Sequence, residues 1–165
     1  MATAYSGREW SDLFVASAGA SAALTGLLFV AVSLNIRDIL GNKALPGRAL
    51  QTLLLLLSAL VVSLVGLVPG QSATALGIEL LAFAFGFGGW AIVLAVRSME
   101  ATRVYVRHPA LHFGLITPGT VPPVIGAVSL IAHSGGGLYW TAGGIVGALL
   151  GAAVNAWVLL VEILR

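Results

Sequence analysis

Leu13–Leu34, LFVASAGASAALTGLLFVAVSL, is a run of 22 residues without a charge. As an α-helix rising about 1.5 Å per residue it spans roughly 33 Å, the thickness of a bilayer's hydrocarbon core. It reads as a membrane crossing, and the rest of the chain has the same character. Of 165 residues, 59% are hydrophobic and 8% are charged, against about 25% charged in a soluble domain. So few charges cannot cover a surface facing water. Insertion uses up most of the hydrophobic effect, leaving helix–helix packing and hydrogen bonds to organise the fold.

Working outward, four more apolar runs follow. The pattern predicts one all-α membrane domain over 1–165, a polytopic bundle of five transmembrane helices. Their expected positions are about 11–35, 49–68, 75–96 with a polar extension to 108, 111–132 and 138–163. In the first span, Ser17, Ser21 and Thr25 recur every four residues, beside Ala18, Ala22 and Gly26. Small residues at this period let two backbones approach, and the hydroxyls can bond carbonyls one turn back. The second span is leucine-rich and reads as lipid-facing, ended by Pro69-Gly70. The uncharged link Pro69–Thr74 is six residues long, which predicts that spans two and three are antiparallel neighbours.

The fourth span carries Pro118, Pro122 and Pro123. Each proline removes a backbone donor and disturbs the preceding turn. The expectation is a kinked, protein-facing element that is broken or mobile. The rival layout is four spans plus a re-entrant Pro-rich segment, since broken helix in a bilayer must be covered by protein or line water. The fifth span has the row Gly143, Gly147, Gly151, a candidate packing or oligomer seam, with Gly144, Ala148 and Ala152 one residue along.

Charge sets the expected orientation. The loop after the first span carries Arg37, Lys43 and Arg48, and the segment after the third carries Arg97, Arg103 and Arg107. The links after the second and fourth spans hold no Lys or Arg. With five crossings, both basic segments and Arg165 fall on one side. The positive-inside rule makes that side the cytoplasm, with the N-terminus out, in a cytoplasmic (inner) membrane. Arg97, Arg103 and Arg107 then face anionic lipid headgroups or an acidic partner, or simply set topology.

Glu79 is the carboxylate set within a span, and charge inside a membrane marks a functional candidate. On this layout it lies near the outer face with His133 and Asp12, a group suited to a proton or a cation. The plain alternative is that Glu79 is hydrated at the interface and pairs or caps. Cysteine is absent, which excludes disulfides and thiolate-bound metals. His108, His112 and His133 lack metal-ligand spacing on a common face. No nucleophile triad, phosphate loop or dinucleotide fingerprint occurs, and no basic–aromatic patch suits nucleic acid. Neither enzyme activity nor a cofactor or metal is expected. Arg8 is offset by Glu9 and Asp12, and the first apolar run is longer than a cleavable signal's core.

The blocks LTGLLFVAVSLN (Leu24–Asn35), ALPGR (Ala44–Arg48), VPGQ (Val68–Gln71) and NAWVLLVEILR (Asn155–Arg165) resemble a family of small multi-spanning bacterial membrane proteins. Some of that family carry a label as modulators of a membrane-bound ATP-dependent protease. The first span, small residues followed by GLLFVAVSL, also resembles the pore helix of Orai calcium channels. It departs from that pattern in having Leu34 and Asn35 where the acidic filter residue would stand, and an odd number of spans departs too. The functional expectation is a small homo-oligomeric channel or transporter-like protein. The alternative is a non-catalytic accessory or scaffold subunit that docks a membrane partner through its basic face.

Overall fold

The computed structural model describes residues 2–41, 45–101 and 109–163, and leaves the side chains of residues 2, 3, 87, 88, 90–101, 109–118, 162 and 163 undescribed. All its elements are helical, with no strand among the described residues. Two 3₁₀ turns, Ala2–Tyr5 and Gly7–Trp10, lead into α1 (Ser11–Leu34). Then come α2 (Ile36–Gly41), α3 (Leu45–Gly66), α4 (Ala73–Ala101), α5 (Pro109–Ala132) and α6 (Leu138–Ile163). Three stretches, Gly7–Leu34, Leu45–Gly66 and Leu138–Val161, are long and apolar enough to cross a membrane. Ala73–Gly86 and Gly119–Ala132 are shorter apolar stretches among the described residues. The chain is thus a helical bundle of membrane-like composition.

The main packing contacts run α1–α3–α6–α5–α4, with α3 touching α4 less extensively. This order corrects two expectations. The short link does bring the ends of α3 and α4 together, but α4 lies chiefly along α5. A tight turn constrains where two helices meet, not how far they stay together. The second span is also central rather than lipid-facing. α3 packs on both α1 and α6 and buries Leu45, Thr52, Leu55, Leu56, Ala59, Val62 and Ser63. Lipid tails are as apolar as leucine, so an apolar surface does not reveal whether lipid or protein covers it.

The α5–α6 pair is the tightest seam. A Cβ added to Gly119 would lie 3.1 Å from Ala148. At Gly144 it would meet the Pro123 ring at 2.3 Å, and at Gly126 the Thr141 hydroxyl at 2.6 Å. At Gly137 it would lie 3.1 Å from Leu130. Stepping up α5 through 119, 123, 126 and 130 therefore steps down α6 through 148, 144, 141 and 137. That is an antiparallel register with alternating four- and three-residue spacing. The expected row was Gly143, Gly147 and Gly151, but the seam runs one residue along. Gly143 is exposed with nothing near it, Gly147 is half-buried and Gly151 is buried.

Helical structure runs unbroken from Pro109 to Ala132, through Pro118, Pro122 and Pro123. The expected break is not present. Pro123 is buried in the seam against Gly144, and Pro122 is half-buried. The Pro118 side chain lies outside the described residues. Proline also sits in the first turn of α3, at Pro46, where its missing N–H is one the helix would leave unpaired anyway. For that reason α3 begins at Leu45 rather than near residue 49, and part of the expected first loop is the short helix α2.

α1 is held on one side only. Phe14 packs over Gly66, where an added Cβ would meet its ring at 2.6–2.9 Å. Of the 24 residues of α1, Phe14, Ser17, Ser21 and Leu28 are buried. Gly19 and Gly26 are exposed with open space beside them.

Candidate functional site

The end of the bundle away from Arg37 and Arg48 is closed by three pieces of chain: the N-terminal 3₁₀ turns, the α3–α4 turn and the α5–α6 turn. The last is built most tightly. His133 follows α5 with φ +51°, and the Ser134 N–H reaches back to the Ser129 carbonyl at 3.2 Å. This is a left-handed helix stop in which histidine stands where glycine is usual. The Ser129 hydroxyl donates to the Ser134 carbonyl and accepts the Gly137 N–H at 2.8 Å. The Trp140 Nε1–H donates to the Gly135 carbonyl at 2.9 Å.

The N-terminal segment straps this turn down. The Gly136 N–H donates to the Tyr5 hydroxyl at 3.2 Å. Gly137 has φ +36°, and an added Cβ would lie 2.5 Å from the Ala4 carbonyl oxygen. Only glycine combines that backbone angle with so close an approach. Trp10 meets Tyr139 edge-on, with ring centroids 4.8 Å apart. Such aromatic pairs suit the boundary between hydrocarbon and water.

His133 and Glu79 both lie at this end, but the structure does not pair them. His133 Nε2 is 3.1 Å from the Thr74 hydroxyl, and its ring is 5.9 Å from that of Tyr5. The Glu79 carboxylate accepts a hydrogen bond from the Gln71 side chain. Asp12 is exposed in the first turn of α1, where a negative charge complements the helix dipole. No group of three or more His, Asp or Glu residues able to hold a metal occurs among the described residues. Ser72 caps α4, its hydroxyl accepting the Ala75 N–H at 3.2 Å. The partners Tyr5, Gln71 and Thr74 were not anticipated from sequence. Gln71 and Glu79 come together because residue 71 lies in the turn before α4, so helical spacing gives no hint of the contact.

At the opposite end, Arg37 is exposed and Arg48 is half-buried in the first turn of α3. Of the other predicted basic contacts, Arg103 and Arg107 lie outside the described residues, as does the side chain of Arg97. Between the ends the interior is apolar, with hydroxyls turned into their own helices. Thr25 donates to the Ser21 carbonyl at 2.7 Å, Ser63 to Ala59 at 2.7 Å, Ser58 to Leu55 at 2.7 Å and Thr52 to Arg48 at 2.9 Å. This is the back-bonding expected of hydroxyls within a span. Among the described residues, these buried side-chain polar atoms have no partner: Ser21 Oγ, Gln51 Nε2, Gln71 Oε1, Thr141 Oγ1 and Asn155 Nδ2.

Shallow surface grooves occur among the described residues. One of about 140 Å³ lies between α1 and α3, lined by Leu28, Phe29, Val32, Ala49, Leu50 and Leu53. The other, about 370 Å³, lies beside the α5–α6 turn, against Val124, Ile125, Val128, Ser129, Ala132, Ser134 and Gly135. Neither is lined by a charged side chain. No family model, curated protein or solved structure matches the chain.

Proposed function

We propose that the chain is an integral membrane protein that crosses the bilayer five times, N-terminus out and C-terminus in. We further propose that it works as a homo-oligomeric channel or transporter-like assembly with α1 as the seam between copies. The observation that carries this reading is the one-sided burial of α1. Its free face presents Gly19, Ala23 and Gly26, all exposed. Small residues at three- and four-residue spacing allow a second helix to approach closely. Any conducting path would then run between copies, beside the strapped outer end that holds Glu79 and His133.

A second reading, a non-catalytic accessory subunit, is favoured by one observation. Glu79 and His133 are each engaged by a neutral neighbour and not by one another. The same α1 face would then receive a partner's helix.

The absence of native cysteine makes the test simple. Gly19→Cys and Gly26→Cys, each alone, are expected to form disulfide-linked dimers in membranes, while Gly143→Cys on α6 is not. Purified protein in liposomes distinguishes the two readings. Ion or solute flux that falls in Glu79→Gln supports the channel. No flux, with a stoichiometric partner recovered on gentle solubilisation, supports the accessory subunit.

A further inference from the structure

One polar station inside the bundle is not absorbed by this reading. The Asn155 side chain is 3% exposed, and its amide nitrogen has no hydrogen-bond partner. The Gln51 amide nitrogen is also buried and unpartnered. A buried amide left unpaired costs on the order of 1–3 kcal/mol, so two such nitrogens within a membrane helix pair require an explanation.

The helix registers bring them to the same level. A Cβ on Gly119, on α5, would touch both Leu55 and Ala148 at 3.1 Å, which puts these residues of α3 and α6 at one level. The N-terminal strap touches Gly66, near the end of α3, and Gly137, just before α6, which makes the two helices antiparallel with the same register. One heptad onward from Leu55 and Ala148, toward the basic end, lie Arg48 on α3 and Asn155 on α6. Seven residues is close to two turns, so each keeps the face of its predecessor. Gln51, one turn from Leu55, shares that face.

The buried atoms left without a partner there are two amide N–H₂ donors, and the amide oxygens are not among the unpartnered atoms; the Arg48 guanidinium lies at the same level. Arg48 is itself engaged within the structure and contributes its positive charge. The Thr52 hydroxyl donates away, to the Arg48 carbonyl. Unpartnered donors beside a positive charge favour a negatively charged guest. Both amide nitrogens are shut off from solvent, which favours a small guest such as a halide. Arg48 lies in the first turn of α3, so the way in from the basic end is short.

We propose that Gln51 and Asn155, beside Arg48, form a binding seat for a small inorganic anion between α3 and α6. The seat belongs to one copy of the chain and stands whether or not copies assemble. Its test is thermal unfolding of the full chain in detergent, in sodium chloride or sodium gluconate at equal ionic strength. Equilibrium binding of radiolabelled chloride is measured in parallel. Chloride at ten times its Kd is expected to raise Tm by about 3 °C or more over gluconate. Asn155→Leu, alone and with Gln51→Met, is expected to abolish both the shift and the binding. Ser58→Ala, which removes a hydroxyl bonded within α3, is expected to retain them. If the seat holds only water, the two salts give equal Tm and no chloride binds, which overturns the proposal. A chloride shift that persists in the double variant overturns it as well. If the variants do not fold, the unaltered chain still decides, by binding chloride saturably or not.

Discussion

The α5–α6 seam and the α1–α3 contact are both antiparallel pairs of apolar helices, yet they are built differently. Along α5–α6, glycines and a proline interlock at four successive levels, and methyl groups added at Gly144 and Gly126 would collide with the Pro123 ring and the Thr141 hydroxyl. Along α1–α3, one ring, Phe14, closes over Gly66, and beyond it α1 is largely open, with free space beside Gly19 and Gly26. Where lipid is the solvent, burying apolar surface against protein gains little over burying it in lipid. Close packing is what distinguishes a committed interface from a lipid-facing one.

The largest expected effect follows from the 2.3 Å approach of Gly144 to Pro123. Gly144→Leu must displace a rigid ring, and is expected to cost at least the ~1–3 kcal/mol typical of overpacking, or to prevent folding. Gly143→Leu, one residue away on the exposed face, is expected to change stability by less than about 0.5 kcal/mol. Thermal unfolding in detergent, followed by circular dichroism, measures both. Equal effects would mean the seam is misplaced by one residue.

Next in size is Gly126→Ala, whose methyl would lie 2.6 Å from the Thr141 hydroxyl and 3.0 Å from its backbone nitrogen. A loss of about 1–3 kcal/mol is expected by the same assay. Phe14→Ala should cost less than the ~3–5 kcal/mol lost from a water-soluble core, because lipid fills the vacated surface. Its clearer signature is release of α1 from α3, read as faster proteolysis of the N-terminal segment. The smallest expected effects are those of Gly19→Ala and Gly26→Ala. Their added methyls meet nothing, so stability should hold within about 0.5 kcal/mol, while the disulfide cross-link formed through a cysteine at the other of the two positions should weaken.

Much of this was legible in the sequence. Helix positions follow from long uncharged runs, and the α6 range matches the expected 138–163. Small-residue rows pointed to close packing on the fifth span, but two rows lay side by side, and periodicity alone does not rank them. The prolines of α5 pointed to a break because in isolation each loses a backbone bond. The seam with α6 supplies packing that a single helix does not show. Gln51 is visible in the sequence as a lone amide in a leucine run, but its meaning depends on Asn155, more than a hundred residues away. At the strapped end, Glu79 and His133 were identifiable as ionisable residues in or beside apolar runs. Their partners Gln71, Thr74 and Tyr5 are supplied by turns and by the N-terminal strap, where no helical period applies.

The proposed orientation, and with it the outer placement of Glu79 and His133, rests on an odd number of crossings, and the cysteine-free chain permits a direct measurement. A single cysteine in place of Ser6 and another in place of Arg165 are probed in intact cells with a membrane-impermeant thiol reagent. The account predicts labelling at residue 6 from outside, and at residue 165 only after the cells are opened. Labelling of both positions from the same side would contradict it.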